Sequence, residues 1–303
     1  MTDERQTELR RLVDQWIEET DDWFRTDDIW RQFNVITVKG KNTVWQRLKE
    51  HTVAGRVKKR GLRYRSVRRE LESIDIFAPA NFVSIKFPFQ LEKYIRVTDG
   101  GLIVMAGGKE AGKTGILLNT AYLNMYDWET HYFDSESGGT LLGERLLALD
   151  PDLPNPLPFQ IKHCARNFSD AIVPGAFNIV DYLDLGSQYQ IVGDELLSIV
   201  EALGGKGVAV VALQKPPPAR TKEGKLIMRD LGYGGLPSIH RAQVALSLDP
   251  GKIKIIAAKS RTNPKVNPVN KTFTFRWDNK GANILDIKDE AGQGLFAEEE
   301  LPF

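Results

Sequence analysis

A chain of 303 residues, 42% hydrophobic and 27% charged, can bury one good core plus a smaller one, so two globular units are expected. No apolar run approaches the length of a membrane span, the single Cys164 cannot form an internal disulfide, and four scattered histidines offer no metal-ligand spacing. A soluble, cytoplasmic protein without membrane contact is expected, and its net charge of +1 conceals a strong asymmetry along the chain.

Residues 1–34 carry ten acids against five arginines, whereas residues 35–69 carry twelve basic side chains against the single acid Glu50. So polarised a block is the electrostatic footprint of a polyanion site. From Glu4 to Glu19 the positions Leu9, Leu12, Val13, Trp16 and Ile17 recur at helical spacing and predict an amphipathic helix. A second helix follows Thr26 as N-cap, with Asp27 and Asp28 in its first turn and Ile29, Trp30 and Phe33 inward. A third begins at Asn42 or Thr43, presents Val44, Trp45 and Leu48, and stops at Gly55. Two extended runs, Arg56 to Arg60 and Leu62 to Val67, hinge at Gly61, and Trp16, Trp30 and Trp45 are expected in the core. This order resembles a winged helix-turn-helix over residues 5–69, within a domain at 1–70. The resemblance places Lys41, Thr43, Gln46, Arg47 and Lys49 on the groove side of the third helix. Lys58, Lys59, Arg60, Arg63 and Arg65 of the wing would reach DNA phosphates. A winged helix used for protein contacts is the alternative.

Residues 71–92, with Pro79 and Pro88, are expected to form a linker that could dock on a neighbouring subunit. Over 93–288 strand-like and helical runs alternate: Leu102–Ala106, Thr114–Met125, Thr130–Phe133, Phe168–Ile172, Phe177–Leu183, Val192–Leu203 and Gly207–Leu213. That alternation predicts an α/β domain, a largely parallel sheet covered by helices on both faces. Four further runs, Val244–Leu248, Ile253–Ala258, Lys271–Trp277 and Ile284–Ile287, should add antiparallel strands, and 289–303 is expected to be an acidic, mobile tail.

The octet Gly107-Gly108-Lys109-Glu110-Ala111-Gly112-Lys113-Thr114 follows an apolar strand and opens a helix that continues with Gly115. In that context it is a phosphate-binding loop for ATP. Backbone N–H groups cradle the phosphates, Lys113 reaches the β- and γ-phosphates, and the Thr114 hydroxyl holds Mg²⁺. The strand Phe177 to Asp181 ends in a carboxylate placed to orient the magnesium, with a capping role as the other reading of Asp181. Hydrolysis also needs a carboxylate to polarise water, and Asp134-Ser135-Glu136 supplies two acids just after a strand.

These motifs resemble the RecA/DnaB group of P-loop ATPases over residues 93–288. The resemblance implies that Glu136 is the catalytic glutamate, and that Gln214 senses the γ-phosphate. It also implies that Lys259 and Arg261 enter the ATP site of an adjacent subunit in a homo-oligomer. Asp181-Tyr182-Leu183-Asp184 looks like the DnaB-type form, with Asp184 where that group usually has glutamine. The segment Lys215 to Gln243, with Arg220, Lys222, Lys225 and Arg229, corresponds to a loop that binds single-stranded DNA, and Gly186-Ser187-Gln188-Tyr189 corresponds to a second such loop. The terminus Glu298 to Phe303 is similar to the acidic tip of bacterial single-strand-binding proteins, which docks on a replication partner through its last phenylalanine; a plain solubilising tail is the alternative. The functions implied are a DNA-dependent ATPase in replication or recombination, most concretely a hexameric helicase of a phage or mobile element. An ATP-controlled DNA-binding regulator and a RecA-like filament or mediator are the alternatives.

Overall fold

The structure is a computed structural model and describes residues 3–20, 22–67, 76–77, 79–183, 189–220, 226–227, 229–278 and 280–290. The chain divides into two compact units, 1–78 and 79–303.

The first unit contains α1 (Asp3–Glu19), β1 (Phe24–Arg25), α2 (Thr26–Gln32), α3 (Val38–Val53), β2 (Val57–Arg60) and β3 (Arg63–Ser66). Leu9, Val13 and Ile17 fall on one face of α1 and pack with Ile29, Val44, Leu48, Val57 and Tyr64. At the start of α2 the Asp28 carboxylate accepts the Arg25 N–H at 2.7 Å, so Thr26, expected as the cap, is already helical. The Thr37 hydroxyl accepts the Gly40 N–H at 3.1 Å and starts α3 at Val38, earlier than expected. Val38 and Gly40 are weak helix formers, and here the cap decides the boundary. Strands β2 and β3 form an antiparallel hairpin turning at Gly61, whose φ is +60°, and β1 pairs with β3.

The second unit opens with β4 (Phe82–Val83) paired to β5 (Val97–Thr98), and between them Ile85, Phe87, Phe89 and Leu91 are buried in the main core. Residues 79–92, expected as part of a linker, are therefore built into this unit, because their apolar side chains alternate with polar ones and find a core to fill. The remaining strands are β6 (Gly101–Gly107), β7 (Thr130–Asp134), β8 (Gln160–His163), β9 (Phe177–Leu183), β10 (Val208–Gln214), β11 (Ala219–Arg220), β12 (Leu226–Ile227), β13 (Val244–Asp249), β14 (Lys252–Ala258), β15 (Thr272–Trp277) and β16 (Ile284–Glu290). The helices are α4 (Lys113–Asn124), α5 (Gly138–Leu149), α6 (Phe168–Ala171) and α7 (Val192–Leu203).

A nine-stranded sheet runs β16-β15-β14-β13-β6-β10-β9-β7-β8. Strands β13, β6, β10, β9, β7 and β8 are parallel, and β14, β15 and β16 extend the sheet antiparallel. The central parallel strands β6, β9, β10 and β13 read as near-continuous apolar runs because both faces are covered, whereas edge strand β8 is largely exposed. Ile103 and Met105 of β6 point to the side packed by Ile116, Leu117 and Leu146 of α4 and α5, and Leu102 and Val104 to the side packed by Leu196, Ile199 and Leu203 of α7. Helix α5 and edge strand β8 were not expected from sequence. Strand β16 runs to Glu290, with Asp289 and Glu290 paired to Lys271 and Lys252, so residues 289 and 290, expected in the tail, belong to the strand. Residues 291–303, including Phe303, lie outside the described residues.

Candidate nucleotide site and charged face

Strands β6, β7, β9 and β10 are mutually adjacent and parallel, so their C-terminal ends bring together residues distant in sequence. Strand β6 runs out at Gly107, and the turn that follows re-enters α4 at Lys113 through Gly112, at φ +95°. A Cβ on Gly107 would lie 2.6 Å from the Lys113 side chain, and one on Gly112 2.5 Å from Nε1 of Trp277. At Gly108 nothing comes nearer than 4.0 Å, so the loop is open there. The first N–H groups of α4 have no partner within the helix and face an anion-sized concavity.

The Lys113 ammonium is buried and folds back on the loop, donating to the carbonyls of Gly108 (3.0 Å) and Gly107 (3.3 Å) and to Oε1 of Gln214 (2.7 Å). Burial pushes its pKa down, while the carboxylates of Asp181 and Glu136 act against that shift. A phosphate would supply the missing counter-charge.

Asp181 lies in the C-terminal half of β9, which runs on to Leu183 rather than ending at Asp181 as expected, and is 2% exposed. Its Oδ2 accepts the Tyr132 hydroxyl at 2.6 Å, and the Thr114 hydroxyl also hydrogen-bonds to it. Burial raises the carboxyl pKa, and the hydrogen bonds from Tyr132 and Thr114 oppose that rise. Thr114 and Asp181 thus set two hard oxygen donors beside the cradle. Among the described residues no group of three His, Cys, Asp or Glu side chains converges, so a cation here would complete its shell with phosphate and water oxygens, as Mg²⁺ does.

Of the two acids after β7, Asp134 is consumed structurally, accepting the N–H groups of Ser137 (3.0 Å) and Gly138 (2.7 Å) at the start of α5. Glu136 remains exposed on the cavity wall. That cavity has a volume of about 580 Å³ and is lined by the loop and helix start from Lys109 to Gly115. Glu136, Arg145, Tyr182, Gln214 and Trp277 complete its lining, with Trp277 packed against Gly112 and Gly115. A carboxylate, a lysine and a glutamine facing one anion cradle can hold a triphosphate and polarise a water on it. Arg145, Tyr182 and Trp277 were not singled out from sequence. Arg145 is carried in by the unexpected α5, and Trp277 by the antiparallel strand β15.

Gln214 also borders a second cavity of about 230 Å³ with Tyr182, Leu183, Tyr189, Val192, Leu213 and Tyr233. There the rings of Tyr189 and Tyr233 stack with centroids 3.9 Å apart, and the Tyr233 N–H donates to the Gln214 carbonyl at 2.8 Å. Lys215 departs from expectation. Only 4% exposed, it donates to Ser247 Oγ and Asp249 Oδ1, each at 2.8 Å, and is a structural cation unable to meet DNA. Arg229 is exposed and, with Lys109, borders a third cavity beside Pro216, Pro217 and Pro218. The side chain of Arg220, and Lys222, Lys225, Asp184 and 186–188, lie outside the described residues. Lys259 and Arg261 follow β14 and do not line their own chain's phosphate cavity; Lys259 donates to the His240 carbonyl at 3.2 Å.

In the first unit Thr43 and Arg47 turn inward, against expectation. Thr43 is buried and donates to the Lys39 carbonyl at 3.0 Å. Arg47 forks onto Asp14 with two bonds of 2.6 Å and donates to Glu50 at 2.7 Å. Burial raises the Asp14 carboxyl, but the hydrogen bonds from Arg47 and His51 outweigh it and hold the group below its ordinary pKa. Trp45, expected in the core, is instead 48% exposed, with the Lys49 ammonium 5.4 Å from its ring centroid. Lys41 lies over Trp30 at 4.7 Å. Gln46, Lys49, Lys58, Lys59, Arg60 and Arg63 are exposed, and half-buried Arg65 lies over the Trp23 ring at 5.5 Å.

No family model and no curated protein matches the chain. Among solved structures it is similar to a KaiC-like protein from the hyperthermophilic archaeon Pyrococcus horikoshii, at 16% identity over 68% of this chain and 99% of that one, with a TM-score of 0.49. It is also similar to the RadB recombinase, at 17% identity over 63% and 92% of the two chains and a TM-score of 0.42. A third similarity is to the ATPase domain of G40P, at 14% identity over 63% and 86% with a TM-score of 0.45. On its own strand order and phosphate loop, the second unit is a RecA-like P-loop core.

Proposed function

We propose that this protein is an oligomeric, DNA-dependent ATPase of the RecA/DnaB group, whose first unit is a winged helix-turn-helix that binds duplex DNA. The observation that carries the ATPase reading is the convergence of Lys113, Thr114, Glu136 and Gln214 on one cavity, with Asp181 hydrogen-bonded to Thr114 behind it. In this reading Lys113 leaves the carbonyls of Gly107 and Gly108 for the β- and γ-phosphates, and Thr114 and Asp181 would hold Mg²⁺, which would neutralise charge on the phosphates. Glu136 accepts a proton from the attacking water. Departure of Lys113 also frees the Gln214 amide, which lies between the phosphates and the Tyr189–Tyr233 stack at the base of two loops.

Lys259 and Arg261, which do not line their own chain's phosphate cavity, act on a neighbour's phosphates. Charge supplied in trans would couple hydrolysis to assembly. Arg229 and the basic residues Arg220, Lys222 and Lys225 track single-stranded DNA, whereas Lys215 does not. The most concrete form is a hexameric helicase acting in replication or recombination. The basic helix and hairpin of the first unit favour a second reading, a duplex-bound regulator that uses ATP for assembly alone.

ATP turnover with single-stranded, duplex or no DNA, compared among wild type, Lys113→Ala and Glu136→Gln, separates these. Strand displacement lost in both variants supports the helicase, whereas slow turnover indifferent to DNA and duplex-only binding would favour the regulator. No turnover under any condition would overturn the ATPase reading.

A further inference from the structure

The helical phase of α3 places Val38, Asn42, Trp45, Gln46 and Lys49 within an arc of about 100°, opposite the buried Gly40, Thr43, Val44, Leu48 and His51. Of the five, Gln46 and Lys49 are among the contacts expected from sequence, Trp45 was assigned to the core, and Val38 and Asn42 were not expected as contacts. Val38 and Trp45 are large apolar side chains left in solvent, and Ile36 before the helix and Leu62 at the hairpin tip are also exposed. The amides of Asn42 and Gln46 have no hydrogen-bond partner among the described residues. No acid lies on the arc, since Glu50, the one carboxylate of α3, is paired with Arg47 and Arg10.

The occupant is identified by charge. Exposed Lys39, Lys49, Lys58, Lys59, Arg60 and Arg63 belong to this helix and hairpin, and the core of a protein interface is depleted of lysine. A polyanion with an apolar, hydrogen-bonding floor fits instead. The major groove of duplex DNA has phosphate walls, thymine methyl groups, and an adenine edge that accepts a bidentate amide. From Val38 to Lys49 the arc spans about 16 Å at 1.5 Å per residue, or about five base-pair steps.

Resting on the duplex-binding reading above, we infer that α3 reads sequence through Asn42, Val38 and Trp45, favouring A·T pairs. Asn42 pairs with an adenine edge, and the apolar surfaces of Val38 and Trp45 cover thymine methyl groups. Lys49 and the hairpin cations hold the register on phosphates. Arg47, tied to Asp14 and Glu50, reads no base.

The test uses the full chain without nucleotide. Duplexes are selected from a randomised pool, and affinities are measured by fluorescence anisotropy for the selected duplex and for versions with single A·T pairs changed to G·C. Wild type should discriminate about tenfold or more at one such pair, and Asn42→Ala should abolish the discrimination there. Trp45→Ala should weaken the selected duplex about tenfold, leaving the melting temperature and the salt dependence of binding unchanged. Lys58→Ala/Arg60→Ala should instead weaken all duplexes alike and reduce the salt slope by about two. A pool with no preference, a preference for G·C unaffected by Asn42→Ala, or selection of single strands or RNA would overturn the inference. If wild type binds every duplex equally, only this inference fails. If it binds none, the duplex-binding reading fails with it.

Discussion

Replacing Lys215 by methionine tests whether the cation after β10 is structural or a DNA contact. Its ammonium is bonded to Ser247 and Asp249, and Ser247 in turn donates to Asp230 at 2.9 Å, which also pairs with Lys254. The Lys215 side chain is 3% exposed and that of Asp249 21%. Removing one partner of a buried pair costs about 3–5 kcal/mol, and the partial hydration left to Asp249 favours the lower end, about 3 kcal/mol. For a unit of this size that corresponds to a fall of about 6–12 °C in the melting midpoint of the second unit, read by calorimetry. In Lys215→Met/Asp249→Leu part of the loss should return, because neither charge is then left buried alone. Single-strand affinity measured against salt should keep its wild-type slope. An unchanged midpoint with a slope reduced by about 0.7 would refute the argument and restore Lys215 as a phosphate contact.

Three further outcomes follow from the cavity. Because burial holds the Asp181 pKa above its unfolded value of 3.8, protonated Asp181 favours the fold, a contribution present below that value and lost as pH rises through the folded pKa. Tyr132→Phe removes a hydrogen bond opposing the shift, so in Mg²⁺-free, nucleotide-free solution the loss should move to higher pH, and superimposable melting profiles would show no coupling. Gly115→Ala should weaken ATP-analogue binding, since its Cβ would lie 2.6 Å from the Trp277 ring, a clash worth about 1–3 kcal/mol. In Gly115→Ala/Trp277→Ala, calorimetric titration should show less than the sum of the single losses. Arg145→Ala should lower turnover about a hundredfold with a smaller change in nucleotide affinity, and equal losses in both would make Arg145 a binding residue only.

The phosphate cradle was legible because its glycines stand between an apolar strand and a helix, a context that leaves few alternatives. Asp181 was legible for a related reason, as a carboxylate closing the apolar run that starts at Phe177, whereas Gln214 was read through the family resemblance. Arg145 was not, because Gly138, Gly139 and Gly143 depress the helical signal of α5, and its start depends on Asp134, which reads equally well as a catalytic acid. Trp277 was hidden by topology, since only strand pairing brings β15 to the cradle.

The charged segment shows a different limit. Counting cations could not tell which of them were already neutralised. Arg47 is held by Asp14, which lies in the acidic N-terminal stretch 33 residues away. Lys215 is likewise held by an aspartate on β13. In both cases the partner is distant in sequence and the pair is at least half-buried, so the side chain that looked free is fixed. What charge composition loses, helical phase recovers. Once Thr43 fixes the inward side of α3, the outward side must be Asn42, Trp45 and Lys49, and the polar contacts available to a groove shift from Arg47 to Asn42.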